Sequence, residues 1–210
     1  MDCAIPTAER DALMDIYNDN GGASWTTQTG WNTAADVCTW YGVTCIVGHV
    51  TELNLASNNL IGVFDITNGN LNSVTKLYLN NNALTSFSGT SLNALQDLRL
   101  YANVLTSFTA SGMNSVTQLD LRDNDLTAFV TTGLGSLSYL DLSLNLLTSF
   151  SSAGLSTAMN NLNLSGNQLT SFSGEKLTGL TALNLSNNKI ASLESSVTTL
   201  TNVIANTASL

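Results

Sequence analysis

VTKLYLNNNALTSF, residues 74–87, returns in near-copies through most of the chain, and its spacing decides the architecture. The pattern L-x-x-L-x-L-x-x-N-x-L fits residues 50–60, 74–84, 95–105, 116–126, 137–147, 159–169 and 180–190. Its Asn falls at Asn58, Asn82, Asn103, Asn124, Asn145, Asn167 and Asn188, in steps of 24, 21, 21, 21, 22 and 21 residues. Apolar residues at alternate positions, such as Leu77 and Leu79, form one face of a short strand, and the residues between them point the other way. One such strand cannot bury its apolar side. Stacked units can, as a parallel ladder with neighbouring strands about 4.8 Å apart.

The Asn column is a polar residue at a fixed, enclosed place, where its amide bonds the backbone of neighbouring coils. Truncating one member leaves backbone groups unsatisfied, at a cost of roughly 1–3 kcal/mol. Further along each unit recur Phe64, Phe87, Phe108, Phe129, Phe150 and Phe172, with Leu193 in the last place. Leu92, Met113, Leu134, Leu155, Leu177 and Val197 follow them. Both columns keep the period of the Leu and Asn columns, which makes them core and not a cofactor box.

Residues 50 to about 200 resemble the leucine-rich repeat family. The short units are similar to the 21–22-residue bacterial type, and the first, with NNLIG after its Asn, to the plant extracellular type. The fold this implies is α/β: a right-handed solenoid with a parallel β-sheet on the concave face, loops and short 3-10 turns on the convex face, and a short N-terminal helical cap. Residues 1–49 form the cap, 50–199 seven repeats of 20–24 residues, and 200–210 a partial terminal repeat, in one continuous domain.

The cap opens with a helix after Pro6, with Thr7 as N-cap, Glu9 and Asp11 in its first turn, and Leu13, Ile16 and Tyr17 as its apolar stripe. Gly21 and Gly22 end it. SWTTQTGWNTAADVCTWYGVTC then brings all three Trp and two of the three Cys. ALMDIYNDNGGASWTTQTGW followed by CTWYGVTC resembles the N-terminal cap of plant-type extracellular leucine-rich repeat proteins over nearly all of residues 7–49. The resemblance implies that Trp25, Trp31 and Trp40 pack over the first coil. The other use of three flat rings is a sugar-stacking platform. It also implies a Cys38–Cys45 disulfide. Cys3 has no matching partner, which leaves it free, bridging two chains or competing for Cys38, so the expected state is a monomer or a Cys3-linked dimer. A cap disulfide places the protein in an oxidising compartment, extracellular or at the cell surface. MDCAIPTAER lacks the apolar core of a signal peptide, which fits a mature chain whose leader has been removed. After Leu200 the pattern decays through LTNVIANTASL, which reads as a native protein continuing beyond Leu210.

Composition narrows the partners. Fifteen acidic residues against 6 basic ones give a net charge of −9, with no Lys/Arg cluster, so nucleic acid and anionic membrane surfaces are poor candidates. No apolar run reaches the ~18 residues of a membrane span. Only 10% of residues are charged, and Ser, Thr and Asn dominate the polar surface.

Function is read from the strand positions that point outward, because the scaffold is the same whatever is bound. The outward columns are Glu52, Lys76, Asp97, Gln118, Tyr139, Asn161, Ala182; then Asn54, Tyr78, Arg99, Asp120, Asp141, Asn163, Asn184; then Ala56, Asn80, Tyr101, Arg122, Ser143, Ser165, Ser186. The outer units show mainly Asn, Ser and Ala. Units two to five carry Lys76, Tyr78, Asp97, Arg99, Tyr101, Asp120, Arg122, Asp123, Tyr139 and Asp141, the candidate ligand-binding residues. Tyr and Arg dominate binding energy at interfaces through contact area and directed hydrogen bonds. A protein or carbohydrate ligand is the expected partner. The competing account is ion pairing between neighbouring coils, Arg99 with Asp120 and Arg122 with Asp141.

Catalysis finds no support. His49 is the single His, placed just before the first strand, and no nucleophile–base arrangement accompanies it. Nearby Arg99 and Arg122 give the Asp120–Asp141 carboxylates an ionic explanation. No Cys/His cluster or calcium-loop spacing points to a metal, and no cofactor is implied. Two other uses compete with recognition. One is a structural or adhesive cell-surface or wall protein. The other is an ice-binding solenoid using the ladder Thr85, Thr106, Thr127, Thr148 and Thr170, whose bland account is hydroxyls bonding local backbone. Asn163-Leu-Ser165 and Asn184-Leu-Ser186 match the N-glycosylation sequon but arise from the LNLS core of the repeat.

Overall fold

A computed structural model of the chain describes residues 5–67, 69–130, 132–173 and 177–191, together with the backbone of Val203–Ile204. Cys3, Leu193, Val197 and the rest of the terminal repeat lie outside the described residues, so the readings made on them are not addressed by it.

The cap helix α1 spans Thr7–Asp19 and buries Glu9, Ala12, Leu13, Ile16 and Tyr17. Its N-cap is Pro6 and not Thr7: no side chain caps the helix, and the Pro6 carbonyl accepts from the N–H groups of Glu9 and Arg10. Proline fits there because it holds a rigid φ and has no N–H to satisfy. Gly21, in the left-handed region at φ 74°, turns the chain after the Asn20 C-cap. Two 3-10 turns, Gly22–Ser24 and Val37–Thr39, carry the chain to strand β1 (Val43–Ile46), which pairs antiparallel with β2 (His49–Asn54). The sequence did not announce this hairpin, which covers the exposed edge of the first coil.

Trp25, Trp31 and Trp40 are 2–4% exposed and interlock with Tyr17, at ring centroid distances of 5.3 Å for Tyr17–Trp25 and 4.9 Å for Trp25–Trp31 and Trp31–Trp40. Their indole N–H groups donate to the carbonyls of Asn20, Tyr41 and Ala35. Rings that are enclosed and hydrogen-bonded pack a core, and the sugar-platform reading is set aside. Cys38 and Cys45 form the disulfide, with Cα atoms 5.5 Å apart.

From β2 the ladder runs through β4 (Lys76–Tyr78), β6 (Asp97–Arg99), β8 (Gln118–Asp120), β9 (Tyr139–Asp141), β10 (Asn161–Asn163), β11 (Ala182–Asn184) and β12 (Val203–Ile204), each parallel to the one before. Register pairs Leu53, Leu77, Leu98, Leu119, Leu140, Leu162 and Leu183 in one inward column. Each of these leucines is 2% exposed or less.

The Asn column works as one device repeated. Asn124 Oδ1 accepts from Leu105 N–H at 3.0 Å, and its amide donates to the carbonyls of Leu100 and Leu121 at 3.1 and 3.0 Å. Asn103, Asn145, Asn167 and Asn188 repeat this pattern one coil along. Asn58 instead pairs with both backbone groups of Thr27, which welds the first coil to the cap.

Behind the ladder the six Phe stack in series at centroid distances of 5.4–6.5 Å. The back of the first three coils differs in detail from the expected loops and 3-10 turns. It is a second parallel sheet of β3 (Ile61–Ile66), β5 (Ala83–Thr90) and β7 (Ser107–Ser111), and the 3-10 turns among the described residues lie in the cap. Asn20 covers the edge of that sheet by donating its amide to the Ile61 and Val63 carbonyls, both at 2.8 Å.

Candidate functional site

The outward columns stand in the ladder as the repeat spacing places them. Glu52, Lys76, Asp97, Gln118 and Tyr139 align along one row, and Asn54, Tyr78, Arg99, Asp120 and Asp141 along the next. Tyr101 and Arg122 come just after their strands, in a row whose backbone continues the ladder through Asn81 N–H to Tyr101 O and Ala102 N–H to Arg122 O.

The ion pairs differ from the expected ones. Arg99 binds Asp97 with both Nε (3.2 Å) and Nη2 (2.8 Å), and Arg122 reaches Asp120 at 3.5 Å. Both partners lie two residues earlier on the same strand, not on the next coil. Residues i and i+2 share a face, and the long Arg side chain folds back along its own strand. Across the coils each guanidinium instead lies over a Tyr of the preceding unit, Arg99 over Tyr78 and Arg122 over Tyr101, both 4.4 Å from the ring centroid. This stacking is a cation–π contact the sequence reading missed.

Two copies of one unit result, Asp97–Arg99–Tyr78 and Asp120–Arg122–Tyr101, displaced by one coil and by two residues along the strand. In the first the Tyr78 hydroxyl also donates to Asp97 at 2.9 Å. Burial and the adjacent Asp97 carboxylate push the Tyr78 pKa up to about 12. Its phenol therefore stays a hydrogen-bond donor at any physiological pH. Burial also raises the pKa of Tyr139, whose hydroxyl reaches Asp141 at 3.4 Å.

The units line an open polar depression of about 220 Å³ formed by Asp97, Arg99, Tyr101, Gln118, Asp120, Arg122 and Tyr139. Of the ten candidate residues, six therefore come together here. Gln118 joins them unforeseen, being a plain amide in the sequence columns. Lys76 stands at the margin, 3.6 Å from Glu52. Asp141 is 4% exposed, and its carboxylate accepts from Ser143 N–H, Ser143 Oγ and Asn163 Nδ2, so it supports the floor and does not face outward. Asp123 is exposed in the turn beyond the strand, outside the depression. His49 is the first residue of β2, where its Nδ1 lies 2.6 Å from Glu9 Oε1 while Glu9 Oε2 accepts from Val50 N–H. The pair fastens α1 to the ladder. Among the described residues no cluster of three or more His, Cys, Asp or Glu is placed to hold a metal ion, and no helix is long and apolar enough to cross a membrane.

Burial pushes the Asp120 pKa up to about 6 from its ordinary 3.8, against the opposing pull of Arg122 and Arg99 and with Asp141 adding to the rise. The folded state therefore holds this proton more tightly than the unfolded chain, and stability falls as pH rises from about 4 through about 6. Asp120→Asn is expected to raise stability by about 1–3 kcal/mol at pH 7.5 and by little at pH 4. Thermal melts of both proteins across that range check it; an equal offset at both pH values refutes it.

Residues 6–46 match the family described as Leucine rich repeat N-terminal domain, which is the segment that folds here as the helix, indole cluster and disulfide. The chain has the leucine-rich repeat fold, closed by a cap that matches this family. This leucine-rich repeat protein is similar in structure to one from Leptospira interrogans, at 28% identity and a TM-score of 0.56, covering 66% of this chain and 38% of that one. It is also similar to the ectodomain of the receptor kinase SOBIR1 from Arabidopsis thaliana (22% identity, 78% of this chain and 95% of that one, TM-score 0.57). The Arabidopsis receptor kinase HAESA ectodomain, solved with a peptide hormone, matches at 21% identity over 96% of this chain and 41% of its own, with a TM-score of 0.62. The chain thus spans less than half of the Leptospira and HAESA proteins. No curated protein matches it in sequence.

Proposed function

We propose that this leucine-rich repeat protein is a non-enzymatic extracellular recognition module that binds a protein or glycan ligand on the concave face of repeats two to five, centred on the depression of repeats three to five. The observation that carries this is the pair of Tyr–Arg–Asp units. Each guanidinium is fixed on one edge by a carboxylate and on one face by a ring, and each Arg side chain remains 44% exposed. Side chains already ordered lose little entropy on binding, and Arg and Tyr so placed make effective anchors. HAESA, of the same fold, is solved with a peptide hormone, but at 21% identity only the fold carries over.

The test is a pull-down from extracellular material of the source organism, comparing the native chain with a folded Tyr78→Ala, Tyr101→Ala, Arg122→Ala variant. Removing three anchors is expected to weaken capture of the partner by at least about 100-fold. Retention of the partner refutes the site. Capture that no outward substitution affects selectively favours the structural or adhesive reading.

One observation keeps ice binding as a second reading. Thr85, Thr106, Thr127, Thr148 and Thr170 are all exposed in register on the back of the solenoid, and only the Thr106 hydroxyl bonds the backbone, at 3.3 Å to Thr85 O. The bland account by local backbone bonding thus covers one of five. Thermal hysteresis that is present and abolished by Thr127→Tyr establishes this reading; hysteresis equal in the two proteins removes it.

A further inference from the structure

The residue before each ladder Asn has a positive φ throughout the solenoid: Ser57, Asn81, Ala102, Asp123, Leu144, Gly166 and Asn187, at 53–67°. Six of the seven are small or carry a short polar side chain, as the left-handed region requires. Leu144 is the exception. A γ-branched apolar side chain in this conformation is strained, and here it is also 58% exposed, so it contributes little to the core. Two residues on, where the chain has passed the buried Asn145, Leu146 is 41% exposed. On the preceding coil the same two positions hold Asp123 and Asp125, both exposed and neither with a side-chain partner among the described residues. One coil earlier, Val104 is 45% exposed in the row of Asp125 and Leu146. Gly166 stands after Leu144 in its own row, and a Cβ there would come within 2.8 Å of Leu144 Cδ2. Its lack of a side chain is what lets Leu144 lie flat along the edge.

We propose that this turn edge of repeats three to six is a second interaction surface, built for a polypeptide segment that presents an apolar side chain beside lysine or arginine. Two leucines and a valine supply the apolar contact, and two unpaired carboxylates between them select the charge. A glycan fits poorly, since branched aliphatic side chains offer no flat ring to stack on. A second copy of this chain would set Asp123 and Asp125 against their own equivalents, with a net charge of −9 on each molecule. An anionic bilayer is repelled for the same reason. The surface lies outside the depression and does not depend on the recognition role proposed for it.

The probe is a short labelled peptide of alternating lysine and leucine, with two controls in which glutamate replaces lysine or serine replaces leucine, read by fluorescence anisotropy. The native chain is expected to bind the first and neither control. A Leu144→Asn, Leu146→Thr variant is expected to lose at least about tenfold in affinity, as burial of aliphatic side chains implies. Asp123→Asn, Asp125→Asn should lose as much, while the Tyr78, Tyr101, Arg122 variant binds as the native chain does. Leu144→Asn alone should melt no lower than the native protein, because Asn tolerates this backbone conformation better. Equal binding of the serine control, unchanged affinity in the leucine variant, or loss in the Tyr/Arg variant overturns the proposal. So does a melting temperature several degrees lower for Leu144→Asn, which makes the leucine part of the fold. A native dimer that the leucine variant dissolves overturns it too, because the occupant is then a second copy.

Discussion

Asn124→Ala is expected to destabilise the solenoid by about 2–4 kcal/mol, beyond a typical point substitution. The side chain is 7% exposed, accepts from Leu105 N–H and donates to the Leu100, Leu121 and Arg122 carbonyls. Its loss orphans the Leu105 N–H, while the Leu100 and Leu121 carbonyls keep one bond each, from Asn103 and Asn145. The sequence alone suggested roughly 1–3 kcal/mol for backbone groups left unsatisfied. The structure raises it somewhat because the orphaned N–H is shut between stacked leucines and the truncation also leaves a gap between two coils. Asn124→Leu separates the two possible causes. It restores volume but offers no donor or acceptor, so it should rescue little. Chemical denaturation of the three proteins measures the effect, and a leucine variant as stable as the native chain would show that the site needs only filling.

Phe87→Ala is expected to cost about 3–5 kcal/mol. Phe87 is 1% exposed and lies between Phe64 and Phe108 at centroid distances of 6.1 and 5.4 Å. Its neighbours cannot collapse into the gap, because each ring is held in place by its own coil at the repeat spacing. A Cβ at Gly89 would meet the Phe87 ring at 2.8 Å, so the local backbone is already shaped around it. Phe150, which is only partly buried, should cost markedly less when truncated. Equal losses at the two positions, measured by thermal unfolding, would mean that the stack contributes through something other than burial.

How much of this could be read from the chain follows from what a repeat specifies. A constant step of 21–22 residues over most units fixes which residues stand beside one another from coil to coil. The leucine register, the Asn column, the Phe stack and the outward rows of the ladder were therefore all legible. The family resemblance added the Cys38–Cys45 pairing, which the structure contains. The hairpin of β1 and β2 was not legible, because it lies where the period has not yet begun.

Within the ladder the limit of the sequence is direction. It placed Arg99 and Arg122 in the right rows, but a row says nothing about which way a long side chain folds. The tertiary structure turned both guanidiniums back to Asp97 and Asp120 on their own strands and laid them over Tyr78 and Tyr101. It also drew Asp141 under Ser143 and Asn163 and left Leu144 exposed at a left-handed turn. The repeat therefore settles the scaffold and the coil-to-coil neighbours of each ladder position, because the hydrophobic period admits one stacking register. The contacts those neighbours make emerge in three dimensions alone, because rotamers and turn geometry follow from local packing and charge, which change from coil to coil while the period does not.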